Sequence, residues 1–145
     1  MQFYISKKFH SEFKKLKKKK AKYHCIAKSL YSEFFDKTDD EIKERGDYLN
    51  NSNSETVIKK KRSASCGNNG KSYGFRILSI VNIEKGTCGL FMIYPKWGPF
   101  AKQNVLKEEW KPRLTEYIED QNRGNLLEMK FNKKKKEVYF EASSA

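Results

Sequence analysis

The chain has 145 residues, 31 of them Lys or Arg against 18 Asp or Glu, for a formal net charge of +13. That length fits one domain around a single core, and the cationic excess favours a polyanion as partner. Much of the excess is lysine, which an ordinary solvated surface also carries, so charge alone does not choose a function. Apolar runs fall short of the ~20 residues that span a bilayer, and Met1–Ser6 lacks the apolar stretch of a signal peptide. A cytoplasmic location follows as the expectation. Cys25, Cys66 and Cys88 are odd in number and widely spaced, which points to free thiols and away from a disulfide framework or zinc knuckle. His10 and His24 have no neighbouring ligand in the sequence, and neither a metal nor a cofactor is called for.

Residues 2–5 suit a short strand. Phe9, Phe13 and Leu16 then recur at i, i+4 and i+7, the apolar stripe of an amphipathic helix, with Lys14, Lys15, Lys17, Lys18, Lys19 and Lys20 on its solvated side. Ile26, Leu30 and Phe34 predict a second helix over 22–35, paired with the first as a hairpin. Thr38 and Glu41 fit a capping box, in which each side chain satisfies the other residue's backbone amide, and Gly46 is a stop, so a short helix is expected over 39–45. Asn50–Ser54 reads as a polar loop where helices give way to strands.

From residue 56 the pattern is β. Thr56-Val57-Ile58 leads into Lys59-Lys60-Lys61-Arg62, a hairpin connection follows at 66–70, and strands are expected over 73–81 and 88–94 with a turn at 82–86. These three form an antiparallel meander. The last two are apolar on both alternating faces, so both faces of the sheet are covered. Arg76 inside such a strand is hard to explain as solvation, because burying an unpaired charge is costly. Alternation puts Lys60 and Arg62 on one face and Lys59 and Lys61 on the other, and a slip of one residue would exchange the sets. Leu106, Trp110, Leu114 and Ile118 lie at helical spacing, with a kink or break expected at Pro112. Residues 126–131 and 137–142 alternate around a lysine-rich turn and read as a terminal hairpin.

With these elements in order, three stretches resemble the RelE/HigB-like toxins of bacterial type II toxin–antitoxin systems. Lys60-Lys61-Arg62 is similar to the family's K-x-R. Gly70-Lys71-Ser72-Tyr73-Gly74-Phe75-Arg76-Ile77 resembles G-K-S-G-G-x-R-V. Ile93-Tyr94-Pro95-Lys96 with Gln103-Asn104-Val105 resembles I-Y-x-K followed by E-N-I. The resemblance implies an α+β fold, two N-terminal helices packed on a small antiparallel sheet and then a C-terminal helix, over residues 1–122. Residues 123–145 are an added hairpin of the same domain.

It also implies a metal-independent endoribonuclease that cleaves mRNA on the ribosome by attack of a ribose 2′-hydroxyl on the adjacent phosphate. The partners so implied are the ribosome, mRNA and a cognate antitoxin seated in grooves between the N-terminal helices and the sheet. Such chemistry needs a base, cations for the charge growing on phosphorus, and an acid for the leaving 5′-oxygen.

Carried over by position, Lys60 is the base, since a lysine among cations gives up its proton more readily. Arg62 and Arg76 grip the phosphate with planar forks that stay charged, and Lys96 is a further cation or the acid. Lys59, Lys61, Lys71, Tyr94 and Trp97 are RNA-contacting candidates; Tyr94 is otherwise a core residue, and Trp97 and Phe100 are loop aromatics that either stack on bases or anchor the following helix. The sequence departs from the family at Tyr73, where relatives carry glycine, and it offers no C-terminal histidine as acid. A binding module with the same scaffold that inhibits gyrase, as ParE-type relatives do, is the competing expectation. A plain RNA-binding protein is a third.

Overall fold

A computed structural model of the chain describes residues 1–49, 53, 55–67 and 73–143, with Lys20 described by its backbone alone. The expected polar loop, apart from Asn53, and most of the hairpin connection before β4 lie outside the described residues. Lys71 and Ser72 do too. The elements are β1 (Gln2–Ile5), α1 (Lys7–Lys18), α2 (Lys20–Tyr23), α3 (Ile26–Phe34), α4 (Asp39–Glu44), β2 (Asp47–Tyr48), β3 (Thr56–Ser63), β4 (Phe75–Asn82), β5 (Thr87–Pro95), α5 (Lys107–Asn122), β6 (Leu127–Asn132) and β7 (Glu137–Ala142).

The class is α+β, but the architecture is larger than two helices on a small sheet. The strands form one seven-stranded sheet ordered β2-β3-β4-β5-β1-β6-β7. The meander β3-β4-β5 is antiparallel as expected. β1 joins β5 in parallel, and the terminal hairpin extends the same sheet through β6 pairing with β1. Helices cover both faces. Phe9, Phe13 and Leu16 of α1, Ile26, Leu30 and Phe34 of α3 and Ile42 of α4 pack on one face, against Phe75, Ile77, Val81 and Leu90. Trp110, Leu114 and Tyr117 of α5 pack on the other, against Ile58, Leu78, Phe91 and Met92.

Where expectation and fold differ, packing is the reason. The helix expected over 22–35 is broken at His24–Cys25, where Cys25 bonds Cys66 across 41 residues of sequence. Two of the three thiols expected to be free are therefore a disulfide. The turn between α2 and α3 meets the exit of β3 with Cα atoms 5.3 Å apart, a proximity that cysteine spacing could not reveal. Buried Cys88 is a free thiol.

Pro112 does not split α5, which runs from Lys107 to Asn122 as one helix with Trp110 and Leu114, on either side of the proline, both held against the sheet. In that helix Tyr117 takes the buried place expected of Ile118, which is exposed. The capping box of α4 forms in both directions, Glu41 N–H to Thr38 Oγ1 at 3.1 Å and Thr38 N–H to Glu41 Oε1 at 3.2 Å. Among the described residues no helix is long and apolar enough to cross a membrane.

Candidate functional site: a cationic cluster on one sheet face

Strand pairing sorts the cations of β3. Arg62 lies opposite Arg76, and Arg76 lies opposite Tyr94, while one step along the strands Lys60, Leu78 and Met92 form the next row. Residues paired across strands share a face, so Lys60, Arg62, Arg76 and Tyr94 all stand on the α5 side. Lys59 and Lys61 point the other way, toward α3 and α4. The register of these rows is undisturbed because the one irregularity of β5 falls beyond them: Met92 pairs with Leu78 and Leu90 with Ser79, leaving Phe91 as the extra residue of a bulge.

Lys96 joins the group from the end of β5. Its amide donates to the Gly74 carbonyl at 3.0 Å, which ties the exit of β5 to the entry of β4 two residues before Arg76. Gly74 is required there, since a Cβ would lie 1.7 Å from the Ser63 carbonyl oxygen. The Lys96 ammonium donates to Asn104 Oδ1 at 3.3 Å, so the two separated halves of the third motif meet in space.

The electrostatics agree with this convergence. The Lys96 ammonium titrates below the ordinary lysine range, through partial desolvation and then through repulsion by Arg76, Lys60 and Arg62. Arg76 is 5 % exposed. Burial and then the neighbouring Arg62 weaken its guanidinium, with Tyr94 and Asp47 acting in its favour, yet an arginine so far above neutral stays charged. Its Nη1 also donates to the Phe75 carbonyl at 3.5 Å. Asp47, paired with Lys60 on the two-residue edge strand β2, brings a carboxylate to the group. Nothing in the sequence marked Asp47, because a strand of two residues has no periodicity to read.

Of the residues expected to touch RNA, Lys71 lies outside the described residues, and Lys59, Lys61, Tyr94 and Trp97 are engaged in packing. Lys59 and Lys61 are 0 % and 1 % exposed, on the face opposite the cluster. The Lys59 ammonium sits 3.4 Å from the centre of the Tyr48 ring and donates to the Glu44 carbonyl at 3.5 Å. Lys61 Nζ is buried without a hydrogen-bond partner among the described residues and lies 5.1 Å from the Phe34 ring centre. Burial, only partly offset by Glu33 and the nearby Cys88, pulls the Lys61 pKa down to about 8.

Tyr94 is 1 % exposed and packs with Trp110 and Val105, which leaves its ring no face for a base. Burial raises its hydroxyl above the ordinary phenol range, against the lesser pull of the Val105 backbone and Arg76. Trp97 anchors the loop after β5: its ring packs edge-on against Phe75 and Tyr23, and its carbonyl accepts from the Tyr23 hydroxyl at 2.6 Å. The same hydroxyl accepts from the Phe100 amide at 2.9 Å. Gly98 fits the tight path between them at φ +78°, where a Cβ would stand 2.6 Å from the Tyr23 oxygen.

One further pair shapes the neighbourhood. β1 pairs with β5 only as far as Leu90. Beyond it, Arg113 of α5 donates to the Phe91 carbonyl at 3.0 Å and holds Glu12 of α1 through two bonds of 2.8 and 2.7 Å, while Glu12 accepts from the Ile93 amide at 3.4 Å. The two side chains occupy a sheet edge that a strand would otherwise cover. Glu12 and Arg113 are 101 residues apart, so no local pattern links them.

Chemically, the cluster offers two guanidinium forks, two ammonium groups and a nearby carboxylate on one face, a set matched to a phosphodiester and its developing charge. Among the described residues no group of His, Cys, Asp and Glu is arranged to hold a metal ion. Compared with known protein families, curated proteins and solved structures, the chain finds no match in any of the three.

Proposed function

We propose that the chain is a ribosome-dependent mRNA endonuclease, the toxin of a type II toxin–antitoxin pair of the RelE/HigB kind, with an antitoxin as its protein partner. One observation carries the reading: Lys60, Arg62, Arg76 and Lys96 come from three strands to one face, close enough to depress the Lys96 ammonium. Surface lysines spread by self-repulsion; a cluster of cations held together by strand register is what a phosphate requires.

In this reading Lys60 serves as the base that takes the 2′-hydroxyl proton, and the oxygen so freed attacks the adjacent phosphorus. Arg62 and Arg76 hold the non-bridging oxygens as negative charge grows on them. Lys96 gives a proton to the departing 5′-oxygen, leaving a 2′,3′-cyclic phosphate. An ammonium of lowered pKa is the stronger acid, which suits Lys96 to that role. Tyr94, opposite Arg76 on the neighbouring strand, has its hydroxyl buried and kept protonated. So small a site leaves much of the substrate's positioning to the ribosome. Action there puts the chain in the cytoplasm, where thiol reductants would exchange with the Cys25–Cys66 bond.

The test is to map cut sites on a message with purified protein, with and without ribosomes, beside a gyrase supercoiling assay. Cuts that require ribosomes are expected. Intact message in both arms, with supercoiling inhibited, would establish the protein-inhibiting module instead.

A further inference from the structure

Lys59, Lys61, Tyr94 and Trp97 are packed away, so contacts for the rest of an RNA strand must lie on other residues. A groove of about 280 Å³ opens between α1 and the loop after β5. None of the four cluster cations lines it, but Tyr94 and Pro95 do, and they lead directly into Lys96. Leu16, Pro99 and Phe100 make its apolar wall, with Lys15 and Lys102 on the rim. Glu12 also lines it, but its carboxylate is taken up by Arg113.

A second depression of about 600 Å³ shares Lys15 and Phe100 with the first and continues over Ser11, Lys14, Lys18 and Lys19. Ser11, Lys14, Lys15 and Lys18 recur at helical spacing, so they form one exposed stripe of α1. Phe100 stands between the two, half-buried. One side of its ring stacks on Tyr23 at 5.9 Å, and the ammonium groups of Lys15 and Lys19 lie 4.8 and 5.5 Å from its centre.

We propose that these two depressions form a single-stranded RNA track leading away from the phosphate cluster, in which one base enters the groove against Phe100 and Pro99 and the following phosphates lie on Lys14, Lys15, Lys18 and Lys19. An aromatic ring with cations on both sides of a cleft is the arrangement by which bases stack while backbone charge is neutralised, with little demand on sequence. The occupant is a single strand, since a base enclosed in a groove cannot remain paired. The inference rests on the RNA reading of the cluster, but its test does not need cleavage.

The probe is a fluorescent oligouridine carrying 2′-O-methyl groups, which cannot be cut, followed by anisotropy across a salt series. Phe100→Leu keeps apolar contact with Tyr23 but removes the ring, and weakens binding roughly tenfold. Lys15→Gln with Lys18→Gln, both exposed, weakens binding and flattens the salt slope by about 1.4, or ~0.7 per phosphate released. A duplex of the same length binds more weakly than the single strand.

Unchanged affinity and slope in both variants overturns the track, even if the wild-type protein cuts mRNA on ribosomes. So does a lysine effect equal on single strand, duplex and heparin with no effect of Phe100→Leu, because that describes a general anionic-ligand surface of the kind an acidic protein would use. If both variants weaken binding while wild-type protein leaves ribosome-bound mRNA intact, the track stands and the nuclease reading falls.

Discussion

Lys59 and Lys60 are neighbours on one strand with opposite surroundings, and the contrast extends to the two faces of the whole sheet. On the α1–α3 face, Lys59 and Lys61 are enclosed by hydrocarbon, an aromatic ring and a buried thiol, and their charge is a liability to the fold. On the α5 face, Lys60 and Arg62 join Arg76 and Lys96 in one cluster, with Arg62 exposed, Lys60 and Lys96 half-buried and Arg76 buried behind them. A run of four cations in sequence is thus two structural pairs. The comparison separates two kinds of defect: changes on the helix face should move stability and spare activity, and changes in the cluster should do the reverse.

The largest effect is expected in the cluster. Arg76→Met keeps the buried volume and removes the fork, and should lower cleavage by roughly 10²–10³-fold. Its melting temperature should stay near that of the wild-type protein, since replacing a buried charge by hydrocarbon is often neutral for stability. Growth arrest on induction and a thermal melt together check this. A loss of activity that merely tracks a loss of folding would erase the contrast between the faces.

Next comes the disulfide on the helix face. Cys25→Ser with Cys66→Ser, or reduction of the wild-type protein, should cost about 2–4 kcal/mol by freeing a long loop in the unfolded chain. Denaturant titration reads the loss. Cleavage per folded molecule should hold, because neither sulfur lies on the cluster's face.

Smaller again, and opposite in sign, is Lys61→Met, which should stabilise the protein by on the order of 2 kcal/mol through removal of an ammonium buried without a hydrogen-bond partner. The pH dependence sharpens this. With its folded-state pKa near 8 and an ordinary value of 10.5, Lys61 binds its proton more weakly in the folded chain. Stability should therefore rise with pH from about 8, where the folded group begins to lose its proton. Cys88, pushed up to about 11 from 9.0 by burial, acts in the opposite direction above pH 9. The rise between pH 8 and 9 should vanish in Lys61→Met, as followed by urea midpoints.

The smallest effect concerns Lys96. As the acid, it must hold its proton, so activity should fall as pH climbs through its lowered pKa. Arg62→Gln removes one of the cations that depress it, so the alkaline limb of the pH–rate profile should move upward while the rate falls. An unmoved limb would take the acid's role away from Lys96.

Much of this was legible in the chain. Alternation in Lys59–Arg62 was enough to put Lys60 and Arg62 on one face, because a strand's period is set by its backbone; that Arg76 shares it follows only from the register that sets Arg62 opposite Arg76. The helix of α1, the α4 capping box and the terminal hairpin were likewise local patterns. What was not legible depends on distant pairing. β1 and the terminal hairpin look like separate short pieces until β5 and β6 enclose β1, making one wide sheet of what reads as a small one. The Cys25–Cys66 bond, the Glu12–Arg113 pair and the place of Asp47 opposite Lys60 join residues with no shared motif. Tyr94 and Trp97 carry aromatic signatures that suit either a base or a core, and their neighbours in space, Trp110 and Tyr23, decide for the core.

The most direct measurement is end-group analysis of mRNA incubated with translating ribosomes and either wild-type protein or Arg76→Met. The account predicts fragments ending in a 2′,3′-cyclic phosphate with the wild-type protein and none above background with a folded Arg76→Met. Equal cutting by both proteins, or fragments ending in a 3′-hydroxyl, would contradict it.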